Sequence, residues 1–230
     1  MNIRQSVLRL MTNAPIKVPG QALRGYIASL YPACPIVHNH DGKRYLYIYP
    51  RIQYRVSKGD AYIIGIEEGD EIVREIYMKV ERLELNGATH SVLKRQIETG
   101  SVHFGLTDSP VTYRFAMPWL ALNEENYRTF RQMKSLNAKT EFLKKVLIGN
   151  LLSMSKSLGY VVDREIQVDH ISVGDCDAYL KGNAMLGFLG DFSVNFEIPD
   201  FWGIGKSVSR GFGTIKSIRK PPHGTSPIPA

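Results

Sequence analysis

The stretch of sequence that is most informative about the fold is Gly203-Ile204-Gly205-Lys206-Ser207-Val208-Ser209-Arg210-Gly211-Phe212-Gly213. It contains two Gly-x-Gly pairs separated by five residues, and those five include two cations and two hydroxyl groups. Glycine tolerates positive φ and allows another backbone to approach closely. Successive free N–H groups beside Lys and Arg suit phosphate oxygens. The segment, named here the glycine-rich loop, therefore predicts contact with a phosphate-bearing ligand.

Two commoner phosphate-binding motifs do not fit the glycine-rich loop. Gly205-Lys206-Ser207 imitates the end of a Walker A motif, but the glycine required five residues before Gly205 is replaced by Asp200. A dinucleotide-binding fingerprint also fails, because its third glycine position is Val208. Neither nucleotide-binding class is supported.

Strand patterns flank the loop and recur through the chain. Phe192, Val194, Phe196 and Ile198 alternate with polar residues, which predicts a half-buried strand. The rest of the second half predicts strands near 111–117, 163–173 and 179–188, helices near 123–135 and 139–158 with Gly159 as C-cap, and a last strand at 214–218. The first half predicts a strand at 3–11, a helix starting at Pro19, strands at 45–49, 52–56 and 61–66, and a short helix at 90–100. Within the strand at 52–56, Gln53 and Arg55 are expected on a polar face.

Both halves thus share one order of elements: strand, helix, strands, helical segment, strand. This order predicts an α+β protein with two tandem ferredoxin-like (RRM-like) domains. Turn residues at Leu106–Pro110 place the boundary between residues 108 and 109. The domains then cover 1–108 and 109–220, and the proline-rich residues 221–230 are expected to be a disordered tail.

Charge is unevenly distributed along the 230 residues, which carry 29 Lys+Arg and 22 Asp+Glu for a net charge of +7. Residues 60–84 hold eight acidic and three basic side chains, whereas residues 41–58 hold five basic and one acidic, and residues 203–220 hold five basic and no acidic side chains. Two concentrated basic segments favour a polyanionic partner. Two cysteines exclude a disulfide scaffold. No run of about 18 apolar residues is present, so we expect a cytoplasmic protein with no membrane partner.

The glycine-rich loop, close to the end of the sequence and after a strand, resembles the signature loop of the RAMP proteins of CRISPR systems. The chain most resembles the repeat-processing endoribonucleases of the sixth Cas family. Three N-terminal segments support the resemblance: Leu23-Arg24-Gly25-Tyr26-Ile27, Val37-His38-Asn39-His40-Asp41 and Tyr49-Pro50-Arg51-Ile52-Gln53-Tyr54. The resemblance covers roughly residues 1–65 and 190–218.

The resemblance implies metal-independent cleavage of CRISPR repeat RNA without a cofactor. A base takes the proton from a ribose 2′-OH, the oxygen attacks the adjacent phosphorus, and the products carry a 2′,3′-cyclic phosphate and a 5′-OH. Histidine titrates near neutrality, so His38 or His40 is the candidate base, and both remain open. Lys43 or Arg44 is the candidate for stabilising the phosphorane charge, with Lys43 preferred. Tyr31 is a candidate for the helix tyrosine of some family members, with Tyr26 as the other option.

Repeat RNA, single-stranded or in a hairpin, is then the expected partner. Other CRISPR effector subunits and a second copy of the chain are further candidate partners. The residues expected to bind RNA are Arg44, Arg51, Gly203, Gly205, Lys206, Ser207, Ser209, Arg210, Gly211 and Gly213. Trp119 and Trp202 are expected in the core, with stacking of Phe201-Trp202 on a base as the alternative.

Two other functions fit parts of the sequence. A RAMP-type subunit that binds guide RNA without cutting it would share the loop and the charge, but it would not need His38 and His40. A metal-dependent phosphoesterase could instead use His38, His40 and Asp41 as ligands.

Overall fold

The computed structural model describes residues 1–38, 40–41, 44–45 and 48–218, with the backbone alone described for residues 38, 40, 41, 44 and 45. The described chain forms two compact units. The N-terminal unit comprises Asn2–Val102 and Val208–Gly211, and the C-terminal unit comprises Met1, His103–Ser207 and the described residues from Phe212. The units divide between Val102 and His103, whereas the sequence predicted a turn and a boundary at residues 106–110. Residues 106–110 lie instead inside a strand, and the expected tail at 221–230 lies outside the described residues.

The N-terminal half of the chain builds one antiparallel sheet with helices. Its elements are β1 (Asn2–Thr12), α1 (Gly20–Leu30), α2 (Pro35–His38), β2 (His40–Asp41), β3 (Arg44–Tyr45), β4 (Ile52–Ser57), β5 (Asp60–Ile66), α3 (Glu68–Lys79), β6 (Arg82–Leu85) and β7 (Ala88–His103). The sheet has the order β4-β5-β1-β7-β6, and β2 pairs with β3 in a small hairpin. This is the strand order of a βαββαβ ferredoxin-like unit.

Helices α1 and α3 are held by apolar side chains that face the sheet. Leu23 and Ile27 of α1 join Val73 and Ile76 of α3 in the core of the unit, and all four are fully buried. Burying one such side chain stabilises the fold by roughly 1.5 to 3 kcal/mol. Asp70 adds a polar tether, because it accepts a hydrogen bond from the hydroxyl of Ser6 on β1.

In this half one helix was missed and one predicted helix was wrong. Helix α3 was not predicted, because its exposed face is acidic and its buried residues are few; acidic groups such as Glu68 and Glu71 favour a helix N-terminus. Residues 90–100 are not a helix but part of strand β7, whose neighbours in the sheet are β1 and β6. Sheet pairing outweighs the weak local preference here.

The predicted polar face of strand β4 was also wrong. Gln53 is 0% exposed and Arg55 is 3% exposed, so both faces of the strand are buried. The face that carries Arg55 is covered by Val208–Gly211, which belongs to the same unit although it is distant in sequence.

The C-terminal half repeats the ferredoxin-like order. Its elements are β8 (Gly105–Phe115), α4 (Glu124–Gln132), α5 (Leu136–Leu158), β9 (Val168–Leu180), β10 (Asn183–Glu197) and β11 (Ile215–Ser217). The sheet has the order β11-β8-β10-β9. The glycine-rich loop stands where a second helix would lie, between β10 and β11. The predicted α+β architecture with two ferredoxin-like units is confirmed.

Several local predictions hold in this half. Gly159 caps α5 in the left-handed conformation, with φ 76°. Phe192, Val194 and Phe196 are fully buried on β10. Where three strands were expected between 163 and 198, the structure has two, β9 and β10, which form one long hairpin joined through Lys181 and Gly182, both with positive φ. None of the helices in the described part of the chain combines the length and the apolar character that a membrane crossing requires.

Candidate functional site

The two arms of the glycine-rich loop meet at Ile204 and Gly213. The N–H of Ile204 donates to the carbonyl of Gly213 at 3.0 Å, and Gly203 forms a bridge with Thr214. The N–H of Gly213 donates to the carbonyl of Pro118 at 2.8 Å. The base of the loop is therefore closed by backbone hydrogen bonds within the C-terminal unit.

Gly205 is required by close packing against the core of that unit. Its φ is +89°, and a Cβ atom on it would lie 2.7 Å from the indole nitrogen of Trp119. The N–H of the next residue, Lys206, donates to the carbonyl of Leu120 at 3.1 Å. Contacts with Trp119 and Leu120 therefore hold the loop backbone at Gly205 and Lys206 in place.

These bonds correct the expectation that the N–H groups of the loop are free for a ligand. The N–H groups of Ile204, Lys206, Gly211 and Gly213 all donate within the protein, that of Gly211 to the carbonyl of Val208 at 3.0 Å. Gly205, Gly211 and Gly213 serve close packing and positive φ, and a phosphate-binding role of the loop stays a prediction.

The side chains of the loop differ in accessibility. Lys206 is exposed, and Ser207 and Arg210 are partly exposed, whereas Ser209 is buried at 6% exposure. Partial desolvation lowers the pKa of Lys206. Lys206 and Arg210 are therefore the two cations that the loop presents to solvent.

Trp202 lies in the core, as the sequence predicted, and Phe201 is buried beside it, so the alternative of stacking on a base does not hold. Trp202 is 0% exposed, and its ring stacks on Phe104 with centroids 5.7 Å apart. The ring of Phe201 is also buried and is covered by the ammonium group of Lys216 at 4.6 Å. Both aromatic residues belong to the core that supports the loop.

The segment that carries both candidate histidines, residues 37–41, comes shortly after α1 in the chain. The carbonyl of Tyr31, the residue after α1, accepts a hydrogen bond from the N–H of Cys34 at 3.1 Å, and α2 begins at Pro35. Val37 is 1% exposed and packs in the core of the N-terminal unit, so it anchors α2. His38 ends α2, and the backbone of His40 pairs with Tyr45 in the β2–β3 hairpin.

Part of the predicted site therefore lies in α2 and in the β2–β3 hairpin that follows it. His38 and His40 are two positions apart at the junction of α2 and β2, while Arg44 pairs through its backbone with Asp41. The side chains of these residues, and Lys43 as a whole, lie outside the described residues. Their roles stay predictions.

Tyr31 lies at one end of a surface groove. The groove has a volume of about 490 Å³ and is lined by Tyr26, Leu30, Tyr31, Glu75, Lys79, Val80, Glu81 and Arg82. Burial, with a smaller contribution from the charge of Glu75, raises the pKa of Tyr31. The raised pKa favours the protonated phenol, which can donate a hydrogen bond.

Arg51 makes a contact that supports the fold. Its side chain is 13% exposed, and its Nε lies 3.0 Å from Oε2 of Glu68, the first residue of α3. The carbonyl of Arg51 accepts a hydrogen bond from the N–H of Ile66 at 2.8 Å. These contacts fasten the residue before β4 to α3 and to the end of β5, and a role of Arg51 in RNA binding stays a prediction.

Among the side chains that the structure describes, no three His, Cys, Asp or Glu residues are grouped as metal ligands would be. The trio of His38, His40 and Asp41 lies outside that search, so a metal role for it is neither supported nor overturned. Cys34 and Cys176 are both free thiols. Burial raises the pKa of Cys176, which disfavours its thiolate.

Comparison with known proteins connects this geometry to a family. Residues 1–103 match the model of the Cas6b N-terminal domain, and residues 105–218 match that of the Cas6b C-terminal domain. A crystal structure of Cas6b is similar with a TM-score of 0.88 and 35% identity, covering 95% of this chain and 100% of that chain.

Two further proteins are similar to this chain. A crystal structure of a CRISPR RNA processing endoribonuclease Cas6b has a TM-score of 0.75 and 33% identity, over 95% of this chain and 100% of that one. An uncharacterised protein of Methanocaldococcus jannaschii is 38% identical over 146 residues, which are 64% of this chain and 99% of that protein. Both halves of the sequence therefore lead to one conclusion: the chain belongs to the Cas6b family.

Proposed function

We propose that this chain is a metal-independent endoribonuclease that cuts CRISPR repeat RNA to generate guide RNAs. One observation carries the proposal: the chain matches both Cas6b domains, and a member of that family with 33% identity over 95% of the chain is a CRISPR RNA processing endoribonuclease. The two exposed or partly exposed cations of the glycine-rich loop, Lys206 and Arg210, suit a polyanionic substrate.

The proposed reaction uses the 2′-OH of the RNA as its nucleophile. His38 or His40, as neutral imidazole, accepts the 2′-OH proton while the 2′-oxygen forms a bond to the adjacent phosphorus. The bond from phosphorus to the 5′-oxygen breaks, and this oxygen receives a proton from a general acid. The products are a 2′,3′-cyclic phosphate and a 5′-OH, so atoms and charges balance without a further reactant.

Other residues would stabilise the transition state and hold the substrate. Lys43 would neutralise charge on the phosphorane oxygens, and Tyr31 would donate a hydrogen bond near the same centre. The raised pKa of Tyr31 supports a donor role. Arg44, Lys206 and Arg210 would bind phosphates.

The rest of the predicted RNA-binding set would have three kinds of role. Its glycines (Gly203, Gly205, Gly211 and Gly213) would keep the backbone compact, so that RNA can pass close to it. The hydroxyl of Ser207 would contact the ligand directly, and the buried Ser209 and the half-buried Arg51 would support neighbouring residues.

A repeat RNA with a single 2′-deoxyribose tests the proposal. Placing the deoxyribose 5′ of the scissile bond should abolish cutting, because the nucleophile is removed, while a chelator should leave the cutting of the all-ribose RNA unchanged. Cutting of the deoxy substrate that a chelator stops would overturn the proposal and favour a metal-dependent phosphoesterase.

A further inference from the structure

Arg55 is a buried cation that joins strand β4 to the 3-10 turn Val208–Arg210. Its Nη1 donates to the carbonyl of Val208 at 2.8 Å and to the carbonyl of Tyr54 at 3.0 Å. Its Nη2 donates to Oε1 of Gln53. Arg55 and Val208 are 153 residues apart in sequence, yet both belong to the N-terminal unit. The contact therefore fastens part of the glycine-rich loop to that unit.

Burying this guanidinium has a cost. Arg55 is 3% exposed, and burial lowers its pKa to about 10, because a charge loses hydration in the interior. Gln53, which accepts one of its hydrogen bonds, is 0% exposed. An aliphatic side chain would fill this interior without that cost, so packing alone does not account for an arginine here.

The turn that Arg55 holds packs without spare room. A Cβ atom on Gly20, the first residue of α1, would lie 2.6 Å from the carbonyl oxygen of Tyr54 and 3.2 Å from that of Arg210. A Cβ atom on Gly211 would lie 3.3 Å from the same oxygen of Tyr54. The turn thus lies directly against α1 and β4. One nitrogen of Arg55 donates to two carbonyl groups at this contact, those of Tyr54 and Val208.

We propose that Arg55 is a positioning residue for RNA binding: by holding the carbonyl of Val208 it fixes the turn and directs the side chain of Arg210, a partly exposed residue, toward an RNA phosphate. The identity of the ligand rests on the proposed function, whereas the fixed turn does not. Arginine suits the task because its planar fork reaches a backbone carbonyl and an amide in one orientation, which the point charge of lysine does not.

The test compares Arg55→Gln with Val73→Ala in the full-length protein. Val73 is buried in the same unit and serves as a matched control for a general loss of stability. The readouts are the Kd for a cognate repeat RNA and the rate of trypsin cleavage after Arg210. Arg55→Gln should weaken RNA binding about tenfold and speed cleavage by at least about tenfold, because the turn opens locally. Val73→Ala should change each by less than about twofold.

A double-mutant cycle separates positioning from a merely structural role. Arg210→Ala should weaken binding, and adding Arg55→Gln to it should weaken binding by less than about a further twofold, because Arg55 acts through Arg210. Additive losses would overturn the proposal, as would equal effects of Arg55→Gln and Val73→Ala. Arg55→Lys, which keeps the charge, should give intermediate values for both readouts and replaces Arg55→Gln if that variant does not fold.

The outcome also distinguishes this inference from the proposed function. If the wild-type protein binds repeat RNA without cutting it, and the cycle is still non-additive, then the endoribonuclease proposal fails and the positioning role stands. If the protein cuts repeat RNA but the cycle is additive, then the positioning role fails and the endoribonuclease stands.

Discussion

The carbonyl oxygen of Ile204 lies 1.9 Å from the point where a Cβ atom on Gly213 would stand, and the φ of Gly213 is +64°. Gly213→Ala therefore forces the two arms of the glycine-rich loop apart in addition to straining the backbone. We expect a loss of about 3 kcal/mol in the free energy of unfolding, measured by urea denaturation.

Gly182→Ala is the matched control for that variant. Gly182 also has positive φ, +81°, but no atom lies within 4 Å of the position of its Cβ. Only the backbone strain remains, at about 1 to 2 kcal/mol. Equal losses for the two glycine variants would contradict the close contact with Ile204.

Lys206→Ala tests the phosphate contacts of the loop. Lys206 is exposed, so its removal should weaken binding of repeat RNA similarly for all sequences without altering the fold. The slope of log K against log salt should fall in magnitude by about 0.7 to 1, which is one phosphate contact. Lys145→Ala, on the exposed face of α5, is the control and should leave the slope unchanged. A slope unchanged by Lys206→Ala would exclude a phosphate contact by this residue.

Asp70 should make stability depend on acid pH. Burial alone would raise its pKa, but hydrogen bonds from Ser6 and Arg74 outweigh burial and hold the pKa below its usual value. Since the folded pKa is below the unfolded one of about 3.9, the stabilisation is present at neutral pH and is lost as the pH falls through the folded pKa. We expect Asp70→Asn to lower the free energy of unfolding by about 1 to 3 kcal/mol at pH 7 and by much less in acid.

Urea unfolding of the Asp70→Asn variant at neutral and acid pH measures this difference. Asp108→Asn is the control, because the carboxylate of Asp108 is 92% exposed and pairs with Arg164 only at the surface. An equal cost of Asp70→Asn at both pH values would contradict the assigned hydrogen bonds.

The parts of the fold that could be predicted from sequence are those where local pattern and tertiary contact agree. Pro19 with Leu23 and Ile27 at helical spacing predicts α1, and the alternation from Phe192 to Phe196 predicts the buried face of β10. The spacing of glycines predicts the glycine-rich loop, because its conformations require glycine at fixed positions, such as Gly205 and Gly213.

Other features depend on contacts that no local pattern contains. Arg55 alternates with apolar residues and looks solvent-facing, but a segment 153 residues later covers it. Trp202 adjoins the loop in sequence and yet packs on Phe104 in the core. A charged residue between Tyr54 and Val56 was the one available signal for Arg55, and that signal is ambiguous without the covering segment.

Single variants of the two histidines should identify the general base. Loss of the base should slow single-turnover cutting by about 100- to 10,000-fold, while the Kd for repeat RNA changes by less than about twofold. His38→Ala and His40→Ala are compared with each other and with the double variant. If the double variant cuts at the wild-type rate, neither histidine is the base. If wild-type protein binds repeat RNA but does not cut it, the chain is a binding subunit.

The end groups of the cleavage products test the central claim most directly. Cognate repeat RNA is incubated with the wild-type protein in a chelator, and both fragments are examined by mass spectrometry. Attack by the 2′-OH predicts a 2′,3′-cyclic phosphate on the upstream fragment and a 5′-OH on the downstream fragment. A 3′-OH and a 5′-phosphate, formed only when divalent metal is restored, would contradict the account.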